Sequence, residues 1–409
     1  MENIFDTFKE RGFTEQVTDE NLVRELLEKP ASCYIGFDPT ASSLHIGNLV
    51  PIMSLAFIQR AGHTPIAVVG GGTALVGDPS GKTEMRRIMT REEIDNNAAG
   101  IKKQLSRFID FSDNKAIMVN NADWLTGLQY VEFLRDIGRH FSVNRMLAAE
   151  SYKARLKTGL NFIEFNYMIL QAYDFWHLFK TYGCRLQMGG NDQWGNILAG
   201  ADLTRRIEGE DLHGLTFPLI TTSSGTKMGK THKGAVWLDP DLTSPYDYYQ
   251  YWINQEDNDA GRFLAMFTFL PMDEVKRLAA LEGADIRKAK EVLAYEATKI
   301  CHGKEEAEKA REAARSLFGS STTRLPDSVP EYALDSNEVE QGIPAYILFE
   351  RSGLCKTRSE ARRLITQGGG YINDKKIKIF DQVIDLDNNS ENSILLRAGK
   401  KRYIRITFK

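Results

Sequence analysis

Two short segments of this chain combine residue types that suit a bound polyphosphate. The first is residues 45–48 (HIGN) and the second, about 180 residues later, is residues 227–231 (KMGKT). The first segment immediately precedes a predicted helix, and the free N–H groups of a helix N-terminus attract anions. The second segment carries two lysines, whose ammonium groups neutralise charge that develops on a leaving phosphate. Either segment alone is a weak signal, so the hypothesis of a polyphosphate site depends on the pair.

A glycine-rich stretch, residues 70–83, lies between the two segments. A dinucleotide-binding fingerprint requires G-x-G-x-x-G, but the residue three positions after Gly72 is Leu75. A phosphate-binding P-loop requires four residues between its two glycines, but residues 77–83 (GDPSGKT) have three. The stretch therefore predicts either a flexible turn or a backbone that approaches a ligand closely, with Asp78 as a hydrogen-bond acceptor.

A predicted helix from about residue 161 to residue 180 is the best indication of what the protein binds. The segment is apolar on nearly every face, which is typical of a buried helix. Tyr167, Gln171 and Asp174 nevertheless share one face, because their spacing is i, i+4 and i+7. Buried polar groups need partners, and a buried carboxylate without one is costly. Two interpretations remain open, namely a structural hydrogen-bond network or a polar ligand that supplies the partners.

Alternating strands and helices over residues 32–220 must position these groups. Strands are predicted at residues 32–37, 65–70, 115–120 and 184–188. Strand–helix alternation indicates an α/β domain with a parallel sheet that helices cover on both faces. Ligands of such sheets bind beyond the carboxyl ends of the strands. His45, residues 70–78 and residues 189–193 each follow a predicted strand, so we expect them to converge.

The rest of the chain predicts further domains. Helical periodicity without strands extends from about residue 231 to residue 318. Residues 319–330 are rich in Ser, Thr and Pro, as linkers are, and a third small unit begins near Gln341. The domain boundaries expected from these patterns are residues 1–220, 221–320, 321–340 and 341–409.

Composition and cysteine spacing limit the compartment and the metal chemistry. Residues are 42% hydrophobic and 26% charged, which is typical of a globular protein. The four cysteines are scattered without C-x-x-C spacing, which argues against a zinc site and against a disulfide framework. The acidic N-terminus lacks the basic and apolar regions of a signal peptide, and no apolar run approaches the roughly 20 residues of a membrane span. We therefore expect a cytoplasmic protein with no membrane association and no protein-bound metal.

The C-terminal tail is basic, whereas the body of the chain is acidic. Residues 353–409 carry 13 Lys and Arg against 6 Asp and Glu, so the net charge of −3 hides a tail of +7 and a body of −10. Thr357 and Glu360 form a capping-box pattern that starts a helix. This surface fits RNA phosphates or, alternatively, is a solvated basic helix; the glycine turn and strand that follow favour RNA. The candidate RNA-binding residues are Lys356, Arg358, Arg362 and Arg363.

The two segments, together with residues 189–193 (GGNDQ), resemble the signatures of class I aminoacyl-tRNA synthetases, and in particular those of the bacterial tyrosyl enzymes. The resemblance implies a Rossmann-like catalytic domain with a connective insertion over residues 1–220. It implies a mobile loop of the KMSKS type and a helical anticodon-binding domain over residues 221–320. After the linker, it implies a small α+β domain that resembles ribosomal protein S4 and binds RNA. The implied assembly is a homodimer.

The resemblance also implies the substrates, which are L-tyrosine, ATP with Mg²⁺, and tRNA(Tyr). By this resemblance Tyr167 and Gln171 hold the α-ammonium of tyrosine together with Asp78. Asp174 and Tyr34 hold the phenol hydroxyl. A phenol donates one hydrogen bond and accepts others, so an Asp acceptor and a Tyr donor are complementary to it. Phenylalanine would leave both groups unpaired, and rejection of phenylalanine by a tyrosine site is the standard example of such discrimination without editing.

The implied chemistry is attack of the tyrosine carboxylate on the α-phosphate of ATP, followed by transfer of tyrosine to a terminal ribose hydroxyl of tRNA. No general base is required, because the carboxylate is already ionised, so catalysis is positioning and charge stabilisation. The expected catalytic residues are Thr40, His45, Asn48, Lys82, Arg86, Lys227, Lys230 and Thr231. The expected ATP and adenylate residues are Gly36, Asp38, His45, Gly47, Gly190, Asp192, Gln193 and Lys230.

The chain departs from the family pattern at two positions. Asn48 replaces the second histidine of the first motif, and we expect its amide still to donate a hydrogen bond. Gly229 replaces a serine of the second motif, and we expect it to increase the mobility of the loop.

Three alternatives remain at this stage. A tryptophanyl enzyme would share the mechanism, but Tyr34 and Asp174 argue against it. A nucleotidylyltransferase shares similar histidine chemistry, but would lack the tyrosine pocket and the RNA-binding tail. A catalytically silent RNA-binding relative is disfavoured by the intact lysines and His45. Pyrophosphate–ATP exchange with each amino acid separates all of them.

Overall fold

The computed structural model describes residues 2–80, 89–225, 228–231, 234–318, 330–334, 342–373, 375–384, 393–399 and 402–408. The chain divides into two units, Met1–Ala307 and Glu308–Lys409. Among the described residues, no helix is both long enough and apolar enough to cross a membrane.

The first unit contains a sheet built largely from the predicted strands. Its strands are β1 (Gln16–Val17), β2 (Ser32–Phe37), β3 (Thr64–Val69), β4 (Ile117–Asn120), β5 (Leu186–Gly190) and β6 (His213–Phe217). The order of these six described strands is β1-β6-β5-β2-β3-β4. All neighbours are parallel except β1, which is antiparallel to β6. The parallel α/β fold expected from the sequence is therefore confirmed.

Helices connect the strands and continue beyond the sheet. They are α1 (Ile4–Arg11), α2 (Glu20–Leu26), α3 (Leu49–Arg60), α4 (Arg91–Leu105), α5 (Ala122–Leu125), α6 (Tyr130–Asp136), α7 (Val143–Ala148), α8 (Glu150–Thr158), α9 (Phe162–Tyr182), α10 (Trp194–Glu208), α11 (Pro245–Ile253), α12 (Ala260–Phe267), α13 (Met272–Ala279), α14 (Ile286–His302) and α15 (Lys304–Phe318). The boundary between the two units falls within α15.

Strands β1 and β6 of this unit were not predicted from the sequence. Strand β6 has only five residues, one of them glycine, so it has no clear alternation of apolar and polar residues. The expectation that strands cease after residue 230 was wrong in one respect. The two-residue strands β7 (Lys230–Thr231) and β8 (Gly234–Ala235) form a hairpin that is too short to produce a periodic pattern.

Helix α9 packs against the sheet and against α10, which itself contacts β5 and β6, and this packing fixes the face that carries the predicted binding residues. A capping box between Asn161 and Glu164 starts the helix, and Gly183, in the left-handed conformation with φ +61°, ends it. Phe175 of α9 is fully buried in a cluster with Tyr34 of β2. Gly200 lets α10 approach closely, because a Cβ at that position would lie 2.9 Å from Phe175.

The second unit is a small α+β structure, as expected from the sequence. Its strands are β9 (Glu331–Leu334), β10 (Ile343–Pro344), β11 (Gly370–Ile372), β12 (Lys375–Lys376), β13 (Val383–Ile384), β14 (Ser393–Ala398) and β15 (Arg402–Phe408). Among its described residues, the helices that lie wholly within this unit are α16 (Ala345–Arg351) and α17 (Arg358–Thr366). Among the described strands, five form a sheet in the order β12-β11-β14-β15-β9, and β10 pairs with β13. Both helices contribute to a core of buried apolar side chains that this sheet covers.

Candidate active site

The carboxyl ends of β2, β3, β4 and β5 bring most of the predicted residues together in the first unit. Tyr34 lies in the centre of the sheet, because it pairs with Ile66 of β3 and with Gln187 of β5. The loop after β3 carries Asp78, and the polar face of α9 lies against the same region. The segments at residues 70–78 and 189–193 meet at this edge of the sheet, because Gln193 Nε2 donates to Asp78, whereas the approach of His45 to them stays a prediction.

One end of this site is a buried pair formed by Tyr34 and Asp174. The carboxylate of Asp174, only 3% exposed, accepts hydrogen bonds from Asn121 Nδ2 at 2.9 Å and from Trp124 Nε1 at 2.7 Å. Burial raises the pKa of Asp174 to about 7; these two hydrogen bonds oppose the shift, and the charge of Asp38 adds to it.

The hydroxyl of Tyr34 has no hydrogen-bond partner within the described part of the chain. The side chain is 2% exposed, and its ring packs edge-on against Phe175 with 5.3 Å between the ring centroids. Burial, reinforced by the charge of Asp174, raises the pKa of the Tyr34 phenol well above its usual value. A buried hydroxyl without a partner costs about 1–3 kcal/mol. A buried hydroxyl donor beside a carboxylate is complementary to a ligand hydroxyl.

The other end of the site is built around two carboxylates. Asp78 accepts from Gln193 Nε2 at 2.7 Å and from the backbone N–H of Ser80 at 2.9 Å. Burial raises the pKa of Asp78 to about 6, and the nearby charge of Asp38 adds to that shift. The Tyr167 hydroxyl donates to Asp38 Oδ2 at 3.0 Å. Although the sequence placed Asp38 among the nucleotide residues, the structure joins it to Tyr167.

Four residues that sequence reasoning did not select complete this network. Asn196 is 1% exposed, and its Nδ2 lies within hydrogen-bonding distance of Gln171 Oε1 and Gln193 Oε1, at 3.0 Å and 3.1 Å. The other three are Thr73, Asn121 and Trp124. Asn121 and Trp124 directly follow the predicted strand at residues 115–120, so the rule that places ligands at strand ends could have identified them.

Thr73 and Asn121 connect the two ends of the site by continuous hydrogen bonds. Asn121 Nδ2 donates to Thr73 Oγ1 at 3.0 Å as well as to Asp174. Thr73 Oγ1 in turn donates to Asp38 Oδ1 at 2.9 Å, and Asp38 accepts from Tyr167. Because buried polar groups in such a chain orient one another, both ends are fixed before a ligand arrives.

The first signature motif forms its own cap at the start of α3. His45 Nδ1 accepts from the Gly47 N–H at 3.0 Å, and the His45 N–H donates to Asn48 Oδ1 at 3.1 Å. The side-chain oxygen of Asn48 therefore accepts a hydrogen bond within the motif. Donation of a hydrogen bond by the Asn48 side-chain NH2 group, which the sequence led us to expect, stays a prediction.

The two signature motifs contact each other through their backbones. The Ile46 N–H donates to the Val236 carbonyl at 3.0 Å, and the Val236 N–H donates to the Gly229 carbonyl at 3.1 Å. Gly229 has φ +100°, and a Cβ at this position would lie 2.9 Å from the backbone nitrogen of Gly47 and 3.2 Å from His45 Nδ1. The glycine that replaces serine therefore allows close packing in addition to any effect on loop mobility.

A cavity of about 990 Å³ opens beside the first motif. Its lining includes the expected residues Gly47, Asn48, Gly190 and Asp192, and a set of apolar side chains. The apolar side chains include Leu198, Leu219, Ile220 and Met228. Asp192 is exposed, as are the expected Gly36 and Thr40 at and after the end of β2.

Part of the predicted phosphate site lies outside the described residues. Lys82, Arg86 and Lys227 fall there entirely. Lys230 and Thr231 are described as the backbone of β7, but their side chains are not. Among the described residues, no group of three or more His, Cys, Asp and Glu side chains could hold a metal ion.

In the second unit, the four predicted RNA-binding side chains are exposed at or near the start of α17. Thr357 caps this helix as expected, accepting from the Glu360 N–H at 3.2 Å. Arg358 forms a 3.6 Å ion pair with Glu350. Arg362 stacks over the ring of Tyr346 at 4.2 Å. Their role in RNA binding stays a prediction.

Two known protein families match consecutive parts of this chain. The family described as tRNA synthetases class I (W and Y) matches residues 26–319. The family described as the tyrosine–tRNA ligase SYY-like C-terminal domain matches residues 323–406.

Individual relatives extend the match over the whole chain. The tyrosine–tRNA ligase of Desulfatibacillum aliphaticivorans is 58% identical over 99% of this chain and 98% of its own length. That of Caldanaerobacter subterraneus is 55% identical over the full length of both. The crystal structure of a C-terminally truncated mitochondrial tyrosyl-tRNA synthetase from Aspergillus nidulans has a TM-score of 0.70 and 32% identity, covering 78% of this chain and 95% of that one. The present chain therefore belongs to the class I tRNA synthetase family, within the tyrosine–tRNA ligases.

Proposed function

We propose that this protein charges tRNA(Tyr) with L-tyrosine in two steps at the site described above. In the first, a tyrosine carboxylate oxygen attacks the α-phosphorus of ATP, and the bond to the bridging oxygen breaks to release pyrophosphate. In the second, a hydroxyl of the terminal ribose of tRNA attacks the carbonyl of tyrosyl-adenylate and releases AMP. The observation that carries this proposal is the unpartnered, buried hydroxyl of Tyr34 beside Asp174.

The tyrosine side chain would enter with its hydroxyl between Tyr34 and Asp174. The Tyr34 hydroxyl donates to the phenol oxygen, and the phenol donates to the Asp174 carboxylate. Asn121 and Trp124 already occupy lone pairs of that carboxylate, so they hold it in place for the ligand. The substrate therefore supplies the partner that Tyr34 lacks, which an unsubstituted phenyl ring cannot do.

The α-ammonium of tyrosine would bind among the groups at the other end. Asp78 supplies a carboxylate, and Tyr167 and Gln171 supply further oxygens. Gln193 orients Asp78, while Asn196 orients Gln171. A cation is favourable here because two neighbouring carboxylates, Asp38 and Asp78, repel each other when no ligand is bound.

The nucleotide would occupy the cavity beside the first motif. The apolar wall formed by Leu198, Leu219 and Ile220 suits the faces of a purine, and the exposed carboxylate of Asp192 suits a ribose diol. The phosphates would then lie near His45 and the backbone of Gly47.

Catalysis at the phosphates would depend on charge and position rather than on proton transfer. Lys82, Arg86, Lys227 and Lys230 supply positive charge, while Thr40, Asn48 and Thr231 supply hydrogen-bonding groups. Mg²⁺ would arrive with ATP and neutralise charge on its phosphates, as phosphoryl transfer generally requires.

The test of this function is pyrophosphate–ATP exchange with the purified full-length chain. We expect exchange with L-tyrosine and at most background exchange with L-phenylalanine or L-tryptophan. Exchange with tryptophan in place of tyrosine would assign the chain to the other branch of its family, and no exchange with any amino acid would reject the catalytic proposal.

We further propose that the chain works as a homodimer through an apolar surface on α6 and the start of α9. Val131 and Phe162 are 75% and 68% exposed, whereas Phe133 and Phe165 of the same helices pack against one buried cluster. Exposed apolar surface beside a rigid core is typical of an interface, and a second copy supplies a self-complementary partner for it.

The double substitution Val131→Glu and Phe162→Glu should convert the dimer into a monomer in light scattering coupled to size-exclusion chromatography. Leu22→Glu is the matched control, because Leu22 of α2 is also an exposed apolar residue, at 45%. A wild-type chain that is monomeric at micromolar concentration would reject the proposed interface.

The second unit, with the basic residues near α17, would contribute to tRNA affinity through phosphate contacts. Of the remaining boundaries, residues 221–320 would carry the mobile loop and the anticodon-binding helices. The linker expected over residues 321–340 would have to end before residue 331, because strand β9 (Glu331–Leu334) pairs with β15 in the sheet of the second unit. We also propose that the protein is cytoplasmic; the four cysteines are free and buried, as is typical of proteins from a reducing compartment.

A further inference from the structure

Helix α4 contacts the loop that leads into the first signature motif. Gln104, near the end of this helix, is 2% exposed, and its Oε1 accepts a hydrogen bond from the backbone N–H of Leu44 at 2.7 Å. Leu44 directly precedes His45 and is itself buried. Without Gln104, a buried backbone donor next to the motif would lose the acceptor that holds it.

The same face of α4 makes two more contacts with this loop. Asn97 and Gly100 precede Gln104 by seven and four positions, which places all three on one face of the helix. Asn97 Nδ2 donates to the Pro39 carbonyl at 2.9 Å. A Cβ at position 100 would overlap the carbonyl oxygen of Ser42. The loop that carries Thr40 therefore lies against α4 along two turns of the helix.

The residue two positions after the end of α4 reaches the segment that follows the second motif. Arg107 Nη1 donates to the carbonyl of Leu238 at 3.2 Å and to the carbonyl of Cys301 in α14 at 3.4 Å. The N–H of Leu238 donates in turn to the carbonyl of Leu44 at 2.9 Å. Gln104, Leu44, Leu238 and Arg107 thus form a closed set of contacts that joins the end of α4 to the residue before the first motif and to the segment that follows the second motif.

We propose that Gln104 and Arg107 are positioning residues for tyrosine activation, because they fix the separation between the two signature motifs. This inference rests on the proposed function, in which both motifs act on the phosphates of ATP. The hydrogen bonds that these two side chains make with the backbones of Leu44, Leu238 and Cys301 involve no residue of the tyrosine pocket. Displacement of a catalytic segment by about 1 Å costs up to about 100-fold in rate.

The principal test replaces Gln104 by methionine, which has a similar volume but no strong acceptor. Gln104→Met should lower kcat for pyrophosphate exchange about 10-fold and leave KM for tyrosine within about twofold of wild type. Gln59→Met is the matched control. Gln59 of α3 also makes side-chain hydrogen bonds to backbone, at 2.6 Å and 2.9 Å to Asp110, but it holds no motif segment. The control should retain wild-type kcat.

Arg107→Met tests the other half of the contact set, and it should lower kcat severalfold with the same unchanged KM for tyrosine. Gly100→Ala provides a variant in which the helix itself becomes intrinsically more stable by about 1 kcal/mol. It should nevertheless lose activity, because the added methyl group displaces the loop at Ser42. Circular dichroism and thermal melting would confirm that each variant is folded.

A double-mutant cycle distinguishes positioning from a general loss of structure. If Gln104 acts through the loop, Thr40→Ala and Gln104→Met should combine to much less than the product of their separate effects on kcat. The proposal is overturned if Gln104→Met behaves like Gln59→Met, if it raises KM for tyrosine as much as it lowers kcat, or if the cycle is additive. Failure of the wild-type chain to catalyse exchange would instead reject the proposed function.

Discussion

The two ends of the site are held by different kinds of contact. At the tyrosine end, side chains from α9 and from the segments after β2, β3 and β4 hydrogen-bond to one another, as in the chain from Asp174 through Asn121 and Thr73 to Asp38. At the phosphate end, backbone groups of two distant loops pair with each other, while Thr40 and Asp192 remain exposed.

This difference corresponds to two different tasks. Discrimination between tyrosine and phenylalanine requires a dry cage in which an unpaired polar group is costly. Stabilisation of the five-coordinate phosphorus in the transition state requires positively charged side chains that enter a large cavity when the substrate is present. We infer that specificity depends on groups fixed before binding, and that rate depends on how closely the two loops approach each other.

The largest effect should come from Asp174→Asn, which replaces the common acceptor in the tyrosine cage. An amide cannot accept from Trp124, Asn121 and the substrate as the carboxylate does, so at least one buried donor is left unpaired. We expect kcat/KM for tyrosine to fall about 1,000-fold, or about 4 kcal/mol, because the amide NH2 and the donor that faces it are both left unpaired at about 1–3 kcal/mol each. Asp136→Asn, at an exposed ion pair, should behave as wild type in the same exchange assay. Near-normal exchange by a folded Asp174→Asn variant would remove this residue from the pocket.

Lys230→Ala should affect the phosphate end of the site, and it should lower the rate of tyrosine activation rather than the affinity for tyrosine. Loss of its charge should slow adenylate formation about 100-fold and change the tyrosine dissociation constant little, because the ammonium acts mainly on the transition state. Stopped-flow measurement of both quantities checks this, with Lys29→Ala as an exposed lysine control. Equal losses in binding and rate would contradict the assignment of Lys230 to the phosphates.

A chain that ends near Pro330 tests whether the two ends need the second unit. We expect tyrosyl-adenylate formation to persist and tRNA charging to fall by roughly 10- to 100-fold at low salt. The loss should become smaller as salt rises, because salt weakens the phosphate contacts that the second unit makes in the full-length chain. Both half-reactions should be measured at two salt concentrations. Unchanged charging would exclude the second unit from the reaction, and loss of adenylate formation in a folded truncation would show that the boundary is misplaced.

Gly229→Ala tests the close approach of the two loops. The added Cβ would meet the backbone nitrogen of Gly47, so we expect exchange to slow about 10-fold with little change in tyrosine binding. Gly225→Ala is a matched control, because Gly225 also has a positive φ, +83°, but a Cβ there would meet nothing within 4 Å. Equal losses in both variants would attribute the effect to backbone strain rather than to contact between the motifs.

The smallest effect should be the dependence of tyrosine affinity on pH. The raised pKa values of Asp78, about 6, and Asp174, about 7, leave both carboxyls partly protonated near neutrality. The ammonium and the phenol hydroxyl of tyrosine both favour the ionised carboxylates, so binding should release protons and weaken severalfold as pH falls from 7 to 6.

Calorimetry in two buffers of different ionisation enthalpy would count the released protons. As a control, 3-(4-hydroxyphenyl)propionate lacks the ammonium and should release fewer of them than tyrosine. Binding without proton release would show that tyrosine binding does not depend on the ionisation of Asp78 and Asp174.

The sequence was sufficient for the parts of this protein that follow local rules. Four of the parallel strands, the buried helix α9 and the positions of Tyr34, Asp78, Tyr167 and Asp174 were predictable, because periodicity and the rule of strand ends place them. The interactions of Asn196 with Gln171 and of Thr73 with Asp38 and Asn121 were not, since each joins ordinary polar residues that lie far apart along the chain.

The contact between the two signature motifs could not be predicted from the sequence either. Gly229 alone indicates only freedom of the backbone, and its approach to Gly47 depends on how two loops from distant segments are folded together. For the same reason Gln104 and Arg107 carry no recognisable pattern, although both hold motif segments in the folded chain.

The unpartnered hydroxyl of Tyr34 links the stability of the protein against unfolding to the concentration of free tyrosine. A ligand that binds only the native state raises the free energy of unfolding in proportion to the logarithm of its concentration once the site is nearly saturated. In the proposed binding mode tyrosine supplies the partner that this buried group lacks, so we expect the empty enzyme to be the less stable form. Scarcity of tyrosine would thus leave more of the population open to unfolding and proteolysis.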